Sequence, residues 1–544
     1  MQLFPTRPTF HVALAGAVGL VLGVIAGAPL AVQFAGAMLV AVAFGRALDR
    51  AGVARLRSSG FEMVWLGARR AAKVVRGGDV EIECELRNRS DMLVRTTKMR
   101  AVASSLLEVA VDPSTLDIPP WSRTRVTLRV TGLRVGRWGI HGVGLEVRSA
   151  MFGGEGLFEI PLLFANPYGV EVTPSHGRAM VPNMSGARSR RAHVLGRSIN
   201  RRGDGEELRE LRKHMPGDPF KRIAWKASAK RGELYVREME REERDVAWLV
   251  VDASVELWAG AVGESSLDRM VDDAFAVSER HLRKGDPVGL AVTAGRLRSF
   301  VQPRRGRSQS PKIAAALTSA SNFVDMDRSE LLEEELASLA LEHMRPLVSG
   351  GAALKGLNLP ELSTRAEALR SRAPFSARVP FAQNGTEQRF RHYLACFGIE
   401  VPPKADGEIE RAREAIVETL ERIALERIKP SIVYVWAHGP GPNGPSARLV
   451  EVASRLARQR VRVRWALPPL PLLITSDAFD WTTPALPGAA LPGARKGEKS
   501  VTERAVIETT RMRTALAERV ASAALRQLGF AVAKSDGFFE GGRR

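Results

Sequence analysis

From Phe10 to Phe44 the chain runs almost wholly apolar for 35 residues, interrupted only by His11 and Gln33. As a single helix that run would reach roughly 50 Å, whereas one bilayer crossing takes about 20 residues. Gly27-Ala28-Pro29 breaks it, and the spacing predicts two short helices, about 12–26 and 30–48, joined as a hairpin. Arg7 precedes the first, and Arg46, Arg50, Arg55 and Arg57 follow the second. Cations on both flanks place both ends, and the chain beyond, in the cytoplasm, giving a two-pass anchor over residues 1–58 in the inner membrane. The alternative is a cleaved signal peptide with Ala26-Gly27-Ala28 as the cleavage site. Pro29 and a second apolar run directly after it speak against that.

The full chain has 544 residues, too many for one core. Its net charge of +20 favours an acidic partner, anionic lipid or nucleic acid, although Arg-rich composition alone could produce it. The two cysteines, Cys84 and Cys396, form neither a CxxC pair nor a Cys/His cluster, which excludes a zinc framework or a disulfide scaffold as the organising device.

After the anchor the pattern changes to period 2. Asp79–Leu86 and Arg123–Val130 alternate apolar with charged residues, and Gly, Asn, Asp and Pro clusters at 76–79, 88–91 and 118–121 separate such runs. Short strands at this spacing predict an immunoglobulin-like β-sandwich over 59–175.

Residues 176–244 carry 18 Lys/Arg against 10 Asp/Glu. The pattern predicts a short helix over 206–215, a turn at Pro216-Gly217-Asp218-Pro219, a second short helix over 223–230 and a strand over 234–240. Leu208-Arg209, Pro216-Gly217-Asp218, Arg222-Ile223, Trp225-Lys226, Ser228-Ala229 and Val236-Arg237-Glu238 together resemble the signature of the DUF58 family, bacterial proteins often encoded beside MoxR-type AAA+ ATPases. Met151-Phe152-Gly153 is similar to that family's turn leading out of a strand, and the resemblance extends over about 10–320. Ala224 departs from the family's usual Asp, and Lys213-His214 from its usual aromatic residue. Two roles fit these residues. In the first, Trp225 is buried in a hub where Arg209, Asp218 and Arg222 form ion pairs; this is the expectation. In the second, Trp and Arg form an exposed partner surface.

Val246–Val251 is a continuous apolar run, suited to a buried parallel strand. Helices at about 266–284, 311–320 and 446–458 alternate with strands at 288–292, 431–436 and 461–465, predicting a doubly wound α/β domain. It is split into 245–320 and 429–544 by a helical insertion at 321–428. Helices are expected at 329–344 and 406–428, with 348–384 partly loop. The tail holds a Pro/Gly-rich loop and a closing helix over 503–528. The order resembles a von Willebrand A domain, which the DUF58 resemblance also implies. That family's metal-ion-dependent adhesion site is Asp-x-Ser-x-Ser; the corresponding residues here are Asp252, Ser254 and Glu256, with Glu in place of the second Ser. The resemblance therefore implies a degenerate oxygen-ligand site for Mg2+. Gly439-Pro440-Gly441-Pro442-Asn443-Gly444 fits a dinucleotide fingerprint by spacing, but its prolines remove the N–H donors that a pyrophosphate needs.

No P-loop, G-x-S-x-G or H-E-x-x-H motif occurs, and nine histidines are scattered without metal spacing. The sequence therefore reads as a membrane-anchored, non-enzymatic interaction protein. The resemblance implies a MoxR-type AAA+ ATPase as its partner, beside membrane lipid at the anchor. The alternative is a membrane-attached binder of nucleic acid or anionic lipid acting through the basic middle.

Overall fold

The computed structural model describes residues 4–67, 70–148, 158–175, 197–243, 245–258, 260, 262–321, 329, 331–348, 354, 356–377, 382–401, 409–468 and 501–533. The chain folds as two compact units, each drawn from two stretches of sequence. The first joins 1–173 to 322–405, and the second joins 174–321 to 406–544.

The first unit begins with two helices, Arg7–Ile25 and Pro29–Ser58, reversed at Gly27, whose φ of 62° suits glycine. The second helix runs ten residues past the expected end at 48, so the Arg46–Arg55 flank is helical. A Cβ on Gly16 would stand 3.1 Å from the Leu39 side chain, so glycine permits the close approach of the two helices. Both are long and apolar enough to cross a membrane, with mean hydropathies of 1.9 and 1.6. Ile25, Leu30 and Phe34 are 77%, 80% and 71% exposed, whereas the core helix of a soluble domain would bury such side chains.

The strands of this unit are β1 (Phe4–Pro5), β2 (Glu62–Trp65), β3 (Ala71–Val75), β4 (Asp79–Arg87), β5 (Val94–Ala103), β6 (Leu107–Asp112), β7 (Asp117–Ile118), β8 (Arg123–Gly132), β9 (Gly136–Arg148) and β10 (Phe158–Thr173). They form a sheet in the order β1-β10-β9-β5-β7, with β3 on β10, and a second sheet in the order β2-β4-β8-β6. The period-2 runs are β4 and β8, paired antiparallel so that Ile82 faces Leu128 and Cys84 faces Val126. All four side chains enter one core that draws on both sheets, while Glu81 and Arg129 pair outside at 3.3 Å. Burial pushes the Cys84 thiol up to about 12, so it behaves as a small core hydrophobe.

Residues expected as an insertion in the α/β domain instead belong largely to this first unit. Helices Glu333–Leu347, Leu359–Leu369 and Gly385–Phe397 share a core built on Leu336, Met344, Phe390, Tyr393 and Phe397. Leu359–Leu369 falls in the stretch read as partly loop, with Asn358 and Glu361 forming a capping box. The Gly139 N–H donates to the Gly398 carbonyl at 3.2 Å, and a Cβ on Gly139 would lie 2.4 Å from the Phe397 carbonyl oxygen. Ser104 Oγ donates to the Glu400 carboxylate, as do Ser105 Oγ at 2.7 Å and the Leu106 N–H at 3.3 Å.

In the second unit, β11 (Arg197–Lys213) and β12 (Tyr235–Glu243) form an antiparallel pair. The others are β13 (Ala247–Asp252), β14 (Val288–Thr293), β15 (Leu297–Arg304), β16 (Ile432–Trp436), β17 (Arg462–Ala466) and β18 (Ala531–Ala533). They form one sheet in the order β15-β14-β13-β16-β17-β18, parallel throughout except for β15. Every residue of β13, β14 and β16 is buried, as continuous apolar runs require. Helices Ser266–Arg283, Gln309–Thr318, Ala447–Arg458 and Val501–Gln527 lie within three residues of their expected bounds. Ile409–Leu425, expected in the insertion, places Ile416, Leu420 and Ile423 in the α/β core. The 206–215 stretch lies in β11 through Lys213 and is not helical.

Candidate functional site

The central segment becomes a β11–β12 hairpin with a short helix, Trp225–Arg231, on its connection. Pro219 opens a single 3-10 turn over Phe220–Arg222, and Ile223 then bridges to Val236. The Ala224 N–H donates to the Tyr235 carbonyl at 2.8 Å. Ile223, Ala224 and Val236 are buried beneath the turn.

One anionic clamp fixes this connection. Both Arg212 terminal nitrogens donate to Asp218, at 2.8 and 2.5 Å, and the Met215 N–H donates to the same carboxylate at 2.9 Å. Such a fork is the strong geometry for Arg and carboxylate. The Arg212 guanidinium, helped by the Met215 amide, pulls the Asp218 carboxyl down to about 2. Glu238, buried on β12, lies 3.6 Å from Arg212 Nε. Gly217 sits at φ 100°, the conformation the turn demands of glycine. Ser228, buried, accepts the Tyr235 N–H at 2.8 Å, which pins the helix to β12.

The structure thus gathers Gly217, Asp218, Ser228 and Glu238 into a scaffold, and the cation that closes it is Arg212. Three residues after Arg209, on the same strand, its position beside the turn was the available signal. The Arg209 side chain lies outside the described residues. Arg222 is half-buried, while Lys226 and Arg237 are exposed. Trp225, expected in a buried hub, is 62% exposed: it is the first residue of a two-turn helix whose inward positions are taken by Ala224 and Ser228. Phe220, Met215 and Leu234 are exposed as well.

A second candidate lies at the carboxyl end of β13. Asp252 is buried and its Oδ1 accepts the Ser254 N–H at 3.0 Å. Ser254 Oγ and both Glu256 carboxylate oxygens are buried without a hydrogen-bond partner. These are hard oxygen donors, but among the described residues no group of three or more His, Cys, Asp or Glu gathers closely enough to hold a metal ion. With Asp252 Oδ1 already accepting the Ser254 N–H and no third carboxylate or imidazole gathered beside it among the described residues, the set falls short of the roughly six or more oxygens a hard cation such as Mg2+ takes.

The Gly439–Gly444 loop closes on itself, with the Gly444 N–H on the Gly441 carbonyl at 3.0 Å, and a Cβ on Gly439 would meet Ala521 at 2.5 Å. Beside it lies a cavity of about 230 Å³ lined by Arg413, His438, Arg448 and Trp465 among others. Arg413 donates to the Gly439 carbonyl at 3.0 Å, and Arg448 pairs with Glu421 at 2.8 Å, so both cations are committed within the fold. Burial holds the His438 imidazole neutral, down to about 4.

A stretch of 105 residues is 31% identical to uncharacterized proteins of Mycobacterium tuberculosis and Mycobacterium bovis, covering 19% of this chain and a third (33%) of the length of those relatives. Among solved structures, the ASH/PapD-like domain of human CEP192 matches at 10% identity over 21% of this chain and 87% of that domain, with a TM-score of 0.16. A fragment of Escherichia coli alpha-2-macroglobulin matches at 13% identity over 74% and 60%, also at 0.16. Scores this low carry no argument about fold. Residues 210–345, which begin at the clamp and include Asp218, Trp225 and Asp252, match the family described as protein of unknown function DUF58.

Proposed function

We propose that this chain is a non-enzymatic, membrane-anchored interaction protein that partners a MoxR-type AAA+ ATPase in assembling or remodelling a protein complex. The observation that carries the reading is the exposure of Trp225 on a rigidly clamped connection inside the DUF58-matching stretch. Tryptophan and arginine dominate protein-interface hot spots, and a preformed platform loses little entropy on binding. The ATPase supplies the energy. Two helices left largely bare, with arginines on both flanks, support an inner-membrane anchor with both termini and both units in the cytoplasm. In finer fold terms, we read the paired sheets of the first unit as an immunoglobulin-like sandwich and the mostly parallel sheet of the second as von Willebrand A-like.

The test is recovery of the partner from detergent-solubilised membranes. An AAA+ ATPase captured by the native protein and lost with Trp225→Ala supports the reading. Capture of RNA or DNA instead, collapsing steeply between about 50 and 200 mM salt, supports the alternative. That alternative, a binder of nucleic acid or anionic lipid, draws on the six exposed Lys and Arg residues between 210 and 238. External protease that trims the C-terminal half in intact spheroplasts overturns the topology.

A further inference from the structure

The hairpin connection displays charge and apolar surface together. Lys213, Lys221, Lys226, Lys230, Arg231 and Arg237 are exposed, against two exposed acids, Glu210 and Glu233. Glu233 is already engaged by Lys213 at 2.6 Å, while Asp218 and Glu238 are turned into the clamp. Met215, Phe220, Trp225 and Leu234 are 62%, 75%, 62% and 45% exposed. Backbone bonds bring their positions together: the His214 N–H donates to the Leu234 carbonyl at 2.8 Å, and Ala224, next to Trp225, is bonded to Tyr235. His214 and Phe220 ring centroids lie 6.5 Å apart. Four large apolar side chains on one short connection exceed the scattered single residues of an ordinary surface.

We infer that this surface takes an acidic protein segment bearing at least one large apolar anchor residue. The inference rests on the reading of the chain as a protein-interaction module and names what that module recognises. Carboxylates of the segment pair with Lys221, Lys226 and Arg237, and its apolar side chain packs against Trp225 and Phe220. The cationic excess selects the sign of the partner, and the apolar side chains supply what a polyanion alone leaves unused. A phosphate backbone needs the cations alone.

The test titrates the full chain, in neutral detergent micelles, into fluorescein-labelled peptides read by anisotropy. One probe is a fifteen-residue Glu-rich peptide with two leucines, and another is oligoglutamate of the same length. A 20-base-pair DNA duplex and phosphatidylserine vesicles are the further arms. The expected result is tightest binding to the Glu/Leu peptide, weakened about tenfold by Trp225→Ala and again by Lys226→Glu, with the melting curve unchanged because both side chains are exposed. Equal binding of oligoglutamate and no effect of Trp225→Ala overturns it, as does tighter binding of DNA or vesicles than of the peptide. Capture of the ATPase separates the two claims. If Trp225→Ala abolishes peptide binding but leaves ATPase capture intact, the surface stands and the ATPase docks elsewhere. If ATPase capture is lost while peptide binding is unchanged, the acidic-segment inference fails and the partnership stands.

Discussion

His343 Nε2 lies 3.1 Å from His141 Nδ1, and His343 Nδ1 lies 2.8 Å from the Tyr393 hydroxyl. The pair joins β9 to the helix Glu333–Leu347 within the first unit. One ring nitrogen must donate where the other accepts, so the accepting imidazole must be neutral. Burial holds both well below the ordinary imidazole range, opposed at His141 by the Glu400 carboxylate and reinforced at His343 by His141. The unfolded chain therefore binds protons, from about pH 6.5 downward, that the folded chain refuses. Stability of this unit is full above that pH and falls as pH drops. Melting curves from pH 7.5 to 5 should show the decline, and His343→Gln should flatten it.

The carboxylate of the hairpin clamp responds in the same sense, but over a more acidic window. Asp218 sits at about 2, held down first by Arg212. Its contribution is complete above the ordinary carboxyl value near 3.9 and is lost as pH falls toward 2. Asp218→Asn weakens the fork at neutral pH. Hydrogen exchange should then speed at Met215, whose amide donates to that carboxylate, while amides of β13 keep their protection.

Ala224 occupies the N-cap of Trp225–Arg231 with no side-chain cap bond. The family signature usually has Asp there, whose oxygen can accept an amide of the first turn. Ala224→Asp should raise the stability of this helix by about 1 kcal/mol. Slower exchange over 225–231 would register it, and an unchanged or lower value would reject the cap.

Gly139 leaves no room for a side chain, because the nearest obstacle is the Phe397 carbonyl oxygen and not a movable tip. Gly139→Ala should cost about 1–3 kcal/mol, read as an earlier melting transition in the first unit.

Much of this architecture is legible in sequence wherever the deciding interaction is local. The apolar run betrays the two helices, alternation betrays β4 and β8, and unbroken Val/Leu/Ala runs betray β13 and β14. Long-range pairing is not written locally. Residues 206–215 space Leu208, Leu211 and Met215 as a helix would, yet pairing of Leu208 to Lys213 with β12, bulged on either side of Leu208, outweighs the propensity. Residues 322–405 carry ordinary helical patterns that say nothing of which sheet they will cover. That assignment rests on contacts such as Gly139 with Gly398, more than 250 positions apart. At the candidate site, Gly217, Asp218 and Ser228 were visible as motif residues. The exposure of Trp225 was not, since it depends on which face of a two-turn helix the hairpin covers.

The interleaved threading of the two units has a practical consequence for synthesis. A ribosome must release the chain as far as residue 405 before the β-rich half has all its parts, and by then the other half has begun but lacks its later strands. Stopping translation anywhere in between leaves both halves unfinished, so neither can be harvested by trimming the gene at one point. Dissecting them requires splicing separated exon-like pieces with a designed linker.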